Sequence, residues 1–376
     1  MRKRMRLSAM LLLVSLLLTA CWDQRPIEDL ALIAGIGIDL YPANPNLLNF
    51  SFVYPLYLDD KRQGQKVELI AASNLGEAIN MFEKRNAWQF AGGKVRVMAF
   101  GEDAARKGLA GLMEYIQLPM VDDNAFVVVT DQAYKLWEVQ VPETERNAFH
   151  IQNMLRNAFK EGETLRVTVG KLITEATALG VDAVVPLLTR PDEWRFNIDG
   201  AALFRDLQMV DTISQDELRM LMALLGEIAE VSVAAIVGVS EELAKPVVEF
   251  ELLAPKARIK PKLEDGQLQV GIEFSSRCIL CAYDSKADLN EPDVVRAIAT
   301  DLESYLLIEM GRLLTKLQEL RVDPLGVGKR LRAQNPKQFD SKQFREQWAQ
   351  AQIELKVELQ IVRVGALHKN VVPGRR

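Results

Sequence analysis

The chain has 376 residues, 49% of them apolar and 26% charged, with a formal net charge of −5. That is the balance of an ordinary folded protein with room for two or three domains. Beyond its first six residues the chain is net acidic and without a Lys/Arg run, so it has no electrostatic footprint for nucleic acid and no polybasic segment to draw it onto anionic lipid.

Residues 1–20 read as an export signal. Arg2, Lys3, Arg4 and Arg6 precede an apolar run over residues 7–18, interrupted by Ser8 and Ser15 and too short to span a bilayer comfortably. Small residues and then Cys21 follow, and Leu18-Thr19-Ala20-Cys21 is similar to the bacterial lipobox, whose Cys sulfur takes a diacylglyceryl group before cleavage makes that Cys the new N-terminus. Lipidation at Cys21 is expected; the plainer alternatives are an ordinary cleavable signal or an uncleaved anchor. Each buried methylene contributes about 0.8 kcal/mol, so two acyl chains hold a protein stably without any transmembrane helix.

Residues 30–41 form an apolar run with two glycines that predicts a buried strand. A turn at 42–46 returns the chain as a second strand over 47–58, and 67–72 is a third. Ser73 or Asn74 should cap a helix whose Leu75, Ala78, Ile79 and Phe82 fall at helical spacing. A strand at 95–100, a helix from about 102 to 116 and a strand at 125–130 continue an alternation of strand and helix. Helices at 146–160 and 172–178 and a strand at 183–188 complete the first unit. Polar residues 189–193, with proline and charge together, begin the expected linker.

The pattern then changes. Strands at 198–204 and 207–212 make a hairpin, and Ser214 with Glu217 forms a capping box before Leu218, Leu221, Met222 and Leu225. Strands follow at 231–239 and 247–253, and a further hairpin pairs 257–263 with 268–274 about Asp265-Gly266. Pro292 starts the longest helix, to about residue 320 and roughly 43 Å long, with a stripe of Val295, Ile298, Leu302, Tyr305, Leu306, Leu313 and Leu317. Near the C-terminus Ile353, Leu355, Val357, Leu359 and Ile361 alternate with polar residues as a half-buried strand. The expected fold class is α+β, with mixed sheets, packed helices and a long helix in the C-terminal domain. The expected division is 1–20 signal, 21–189 N-terminal domain (subdivided or not), 190–197 linker and 198–376 C-terminal domain.

Three groups of motifs carry a resemblance. Cys21-Trp22-Asp23-x-Arg25, Glu28-Asp29-Leu30-Ala31 and Gly35-Ile36-Gly37-Ile38-Asp39 stand at one end. Glu77-Ala78, Gly101-Glu102 and Ala105-x-x-Gly108-Leu109 lie between, and Asp323-Pro324-Leu325-Gly326-Val327-Gly328, the helix around Trp348 and Val364-Gly365 stand at the other. The set resembles the Ger(x)C family, the lipoprotein C-subunits of spore germinant receptors, along the whole mature chain. Pro26 replaces a common Glu, and Leu118-Pro119-Met120 lacks the basic residue frequent there. The resemblance implies a non-enzymatic subunit required for the germination response to small nutrients. It also implies A- and B-type membrane subunits as partners, a bilayer contact through the Cys21 lipid, and a place on the outer face of the inner spore membrane.

No catalytic constellation emerges from the residues. Gly35-x-Gly37 lacks a third glycine and a following helix, and Gly326-Val327-Gly328-Lys329 is followed by Arg330 rather than Ser or Thr, so neither is a nucleotide loop. Asp122-Asp123 is one adjacent pair among 51 acidic residues and reads as a solvated loop. Cys278 and Cys281, with only His150 and His368 elsewhere, cannot assemble a zinc site. They read as buried structural cysteines in a strand, with a local disulfide as the alternative. No cofactor or metal site is expected. A solute-binding lipoprotein of an importer is the competing function; it would call for two matching α/β lobes, which the two halves do not provide.

Overall fold

The apolar run at 30–41 does not stay in one strand. In the computed structural model, which describes residues 26–57, 63–112, 121–139, 146–192, 195–236, 247–264, 266–283, 289–334, 336–337 and 339–364, it divides into β1 (Leu30–Leu32) and β2 (Gly35–Leu40). The backbone changes partner at the break: the Ile33 N–H donates to the Ala91 carbonyl (3.0 Å) and the Ala34 N–H to the Val53 carbonyl (2.8 Å). The signal over 1–20, Cys21 and Leu118-Pro119-Met120 lie outside the described residues.

β3 (Leu48–Tyr57), β4 (Gln63–Ala72), α1 (Leu75–Arg85), β5 (Gln89–Ala91), β6 (Val97–Gly101), α2 (Glu102–Lys107) and β7 (Phe126–Thr130) follow. A 3-10 helix, Ala133–Glu138, then leads to α3 (Asn147–Lys160), α4 (Val169–Thr177), β8 (Val184–Thr189), β9 (Asn197–Arg205) and β10 (Gln208–Ile213). Asn74 is the cap of α1, its side chain accepting the Glu77 N–H, while the Glu77 carboxylate accepts the Ser73 N–H. The helix expected over 102–116 is interrupted: α2 ends at Lys107 because Gly108 has φ +113°, a conformation only glycine adopts readily.

Eight of these strands form one sheet in the order β10-β9-β8-β7-β6-β2-β3-β4. The run β2, β6, β7, β8 is parallel and the flanking pairs are antiparallel. Alternation of side chains along β6 and β7 covers both faces. Met98, Phe100, Val127 and Val129 join one core with Phe52 and Phe82, whereas Val97, Ala99, Phe126 and Val128 pack with Trp137, Ile151 and Leu155. Phe52, Phe82 and Phe90 meet edge to face at 5.2–6.0 Å, the arrangement that aromatic quadrupoles favour.

The remaining chain supplies α5 (Gln215–Leu225), β11 (Glu230–Ile236), β12 (Val247–Glu264), β13 (Gln267–Tyr283), α6 (Pro292–Glu319), α7 (Val327–Gln334), α8 (Ser341–Ala349) and β14 (Gln352–Val364). Strands β11-β12-β13-β14 make a second sheet, antiparallel except for the β13–β14 pair. The strands expected at 247–253 and 257–263 are one strand, β12, kinked between Leu253 and Lys256 where Ala254 has φ +47°. Helix α6 buries Ile298, Leu302, Leu306, Met310, Leu313, Leu314 and Leu317 in the same apolar core as this sheet. Each such side chain contributes about 1.5–3 kcal/mol by leaving water. The α5 capping box forms as expected, and Gly226, at φ +64°, ends that helix.

The architecture is α+β with mixed sheets, as expected. Thr189 pairs with Asn197, so the segment expected as a linker joins two antiparallel neighbours of one sheet. One apolar core also runs continuously from Ile36 to Trp348. The division at 21–189 and 198–376 is kept as a proposal; in the fold, β9 and β10 complete a sheet begun by the first half. A single proteolytic cut within 190–196 should leave both fragments associated in size-exclusion chromatography and separable only in denaturant. Fragments that part under native conditions would contradict the shared sheet.

Candidate functional site

The two most distinctive sequence motifs become two buried joints, each built on an aspartate that accepts backbone N–H groups. In the first, β2 carries Gly35, Gly37 and Asp39. A methyl group at Gly37 would collide with Ser51 Oγ and crowd Trp137, and one at Gly35 would strike the Trp137 ring. The glycines thus let Trp137 lie against the strand, where its indole N–H donates to Ser51 Oγ at 2.8 Å. Asp39, only 7% exposed, accepts from the Ala133 N–H (2.7 Å) and the Tyr134 N–H (3.0 Å), the first turn of the 3-10 helix that presents Trp137. Burial raises the Asp39 carboxyl above its ordinary value, while those two N–H groups oppose the rise.

The second joint draws on both halves of the chain. Asp323 is 1% exposed, and its carboxylate accepts from the Val327 N–H (3.1 Å) and the Gly328 N–H (2.8 Å) at the start of α7. Its own N–H donates to the Asp182 carboxylate (2.8 Å), while the Asp182 N–H donates to the Asp323 carbonyl (2.9 Å). Arg345 of α8 then grips Asp182 with both terminal nitrogens, each at 3.0 Å, and reaches Asp206 at 2.6 Å. This forked geometry suits the guanidinium alone. Gly180 and Gly328 touch closely enough that a methyl on either would strike the other's backbone. The Trp348 indole closes the joint by donating to the Val322 carbonyl (2.9 Å).

Beside it lies a cleft of about 400 Å³ between α4 and α7, lined by Lys171, Thr174, Glu175, Lys329 and Arg330 among others. Lys171 Nζ stands 2.7 Å from Glu227 and 3.7 Å from Glu175. Burial pushes the Glu175 carboxyl up to about 7, opposed by Lys171. The Thr174 hydroxyl donates to the Gly170 carbonyl, so it is a helix hydroxyl bound to its own backbone rather than a nucleophile beside a base.

The other residues singled out from the sequence do not converge. Asp122 accepts the Asn124 N–H in the turn before β7, and the Asp123 carbonyl accepts the Gly170 N–H. His150 packs its ring against Phe196; His368 lies outside the described residues. Cys278 is buried, its thiol pushed up to about 12 by burial, but Cys281 is exposed, correcting the expectation of a buried pair. Positions three apart on a strand face opposite sides, and both thiols are free. Among the described residues no cluster of His, Cys, Asp or Glu is placed to hold a metal ion, and no helix is long and apolar enough to cross a membrane. Sequence reading missed Asp182 and Arg345, since partners 163 positions apart leave no local signal.

Comparison with known proteins accounts for both halves. A model described as the spore germination protein N-terminal domain matches residues 23–190, and one described as spore germination B3/GerAC like, C-terminal, matches residues 199–365. The putative spore germination protein YfkR of Bacillus subtilis (strain 168) is 21% identical over 87% of each chain. The spore germination protein KC of the same organism is 20% identical over 97% of each. The crystal structure of the GerBC protein superposes with a TM-score of 0.58 at 15% identity, covering 89% of this chain and 98% of that one, a likeness of fold.

Two predictions follow from the second joint. Arg345→Met leaves the Asp182 carboxylate, 5% exposed, without its cation and should cost about 3 kcal/mol in urea unfolding. Glu346→Ala, which breaks an open pair with Arg321, should cost less than about 1 kcal/mol; equal losses would contradict the ranking. Burial pushes Asp323 from 3.8 up to about 7, with its two N–H bonds opposing and Asp182 reinforcing. The folded chain therefore holds a proton that the unfolded chain releases, and the stability Asp323 contributes is full below about pH 4 and lost as pH rises through about 7. The melting-temperature advantage of the parent over Asp323→Asn should shrink across that window; an advantage that grows with pH would reverse the assignment.

Proposed function

Since this chain belongs to the GerAC-like family of spore germination proteins, its two halves both matching the family's models, we propose that it acts as the lipid-anchored C-subunit of a nutrient germinant receptor. In this reading it performs no catalysis and works by completing an assembly with A- and B-type membrane subunits on the outer face of the inner spore membrane. The paired domain matches over residues 23–190 and 199–365 carry the proposal. The joints support it, because the motif residues Gly35, Gly37, Asp39, Asp323 and Gly328 are occupied with holding backbone and packing aromatics. Cys21 is the proposed lipidation site, and lipid on its sulfur would hold the chain at a membrane without a spanning helix.

The reading separates from the importer alternative by deletion in the source organism, repeated in a strain stripped of related receptors. Germination on defined nutrients should be lost while uptake of the same nutrients by growing cells stays normal; the opposite pattern would favour a solute-binding lipoprotein. Cys21→Ala should release the protein from membranes or leave an unprocessed precursor, and normal processing with retention would overturn the anchor.

A further inference from the structure

We propose that the end of the molecule formed by the Ile27–Asp29 turn, the last turn of α1 and the start of β5 is a lipid-facing surface that lies on the bilayer. The proposal rests on the Cys21 anchor and adds to it an orientation. From Cys21 to Ile27 is six residues, which extend to at most about 20 Å. A chain of this length folds to a body on the order of 50 Å across. The tether is therefore too short to present the far end of the protein to the membrane, and the surface around Ile27 is the one it holds down.

That surface has the composition an interface requires. Ile27 is 64% exposed, and the pairing of Leu30 with Gln89 sets Trp88, 36% exposed, beside the same turn. The Trp88 ring stands 6.3 Å from Tyr54, whose hydroxyl meets Asn86 at 3.4 Å. Tyr54 is itself buried, at 1% exposed, so Trp88 is the amphipathic aromatic of this end that can sit at headgroup level. Lys84 and Arg85 end α1 immediately before Asn86; both are exposed and neither forms an ion pair among the described residues. A helix C-terminus accounts for basic residues there, but not for an exposed Ile and Trp alongside them. The neighbouring acids are largely engaged: Glu68 is held by Asn86 (2.8 Å) and Lys66 (3.5 Å), and the Glu83 carboxylate accepts the Phe90 N–H (3.2 Å). Glu83 and Asp29 are both exposed beside Lys84 and Arg85. Exposed Lys84 and Arg85, close in sequence to Trp88, are the side chains here that anionic headgroups can pair with.

The test uses the full lipid-anchored chain, carrying Cys281→Ser, reconstituted into phosphatidylcholine–phosphatidylglycerol vesicles that contain a headgroup nitroxide lipid. A fluorophore is attached either at Gln89→Cys, beside Trp88, or at Ala43→Cys, in the turn beyond the opposite end of β2. Quenching should be severalfold stronger at position 89 than at 43, and Lys84→Glu with Arg85→Glu should reduce it at 89 while the chain still floats with the vesicles. Equal or reversed quenching in floating protein overturns the orientation and leaves the anchor standing. Failure to float overturns the anchor and the orientation with it. A position 89 that escapes lipid quenching, yet is shielded in membranes holding the receptor subunits, assigns the face to a protein partner instead of lipid and overturns the proposal.

Discussion

A buried carboxylate that accepts backbone N–H groups is the interaction on which this fold depends. Asp323 takes two such groups from the start of α7, and its own peptide is gripped by Asp182, which Arg345 neutralises from α8. The segment before β8 is thereby fastened to the two helices that follow the long helix α6. Asp182 stays inside because Arg345 pairs with it, since an unpaired buried charge costs several kcal/mol. The cost of burying Asp323 is visible in its raised carboxyl, so the joint exchanges stability for a single defined arrangement of chain.

The same device recurs at the other end of the protein. Asp39 receives the Ala133 and Tyr134 N–H groups, and the glycines two and four residues before it clear the strand for Trp137. Because Trp137 anchors one of the two cores that flank the eight-stranded sheet, the motif around Gly35 and Asp39 fixes how that sheet is covered. Both joints draw their partners from distant positions, 94 residues apart for Asp39 and Ala133 and 141 for Asp182 and Asp323. They join segments far apart in the chain and lie inside the body, so its outer surfaces are left to interact.

That division of labour fits a subunit whose work is contact. The interior motif residues are committed to backbone, while Ile27, Trp88, Lys84 and Arg85 stand exposed near the point where the chain leaves for its proposed lipid. In the cleft between α4 and α7, Lys171 pairs with Glu227 and Glu175, and Arg330 is held by the Leu325 and Gly326 carbonyls. The proposed receptor role then places the demand on surfaces and on their orientation at a membrane, not on a reacting group.

Local chemistry was legible in the residue order. The Ser214 capping box, the helix-spaced apolar stripe of α6 and the alternation in β14 each depend on neighbours within a few positions, so pattern alone located them. The motifs around Gly35 and Asp323 also identified the family, since spacing survives where overall identity falls to 20–21%. What those motifs do was not legible. Gly37 matters because of Trp137, and Asp323 because of Asp182 and Arg345, contacts that exist only once the chain has folded. The same holds for the pairing of Thr189 with Asn197, which joins the two halves in one sheet, and for Cys281, turned outward by the two-residue repeat of β13. Residue order determined the local elements and the family. Tertiary structure decided the sheet partners and the purpose of each buried aspartate, because a hydrogen bond or a packed ring is specified by both partners and sequence places them a hundred residues apart.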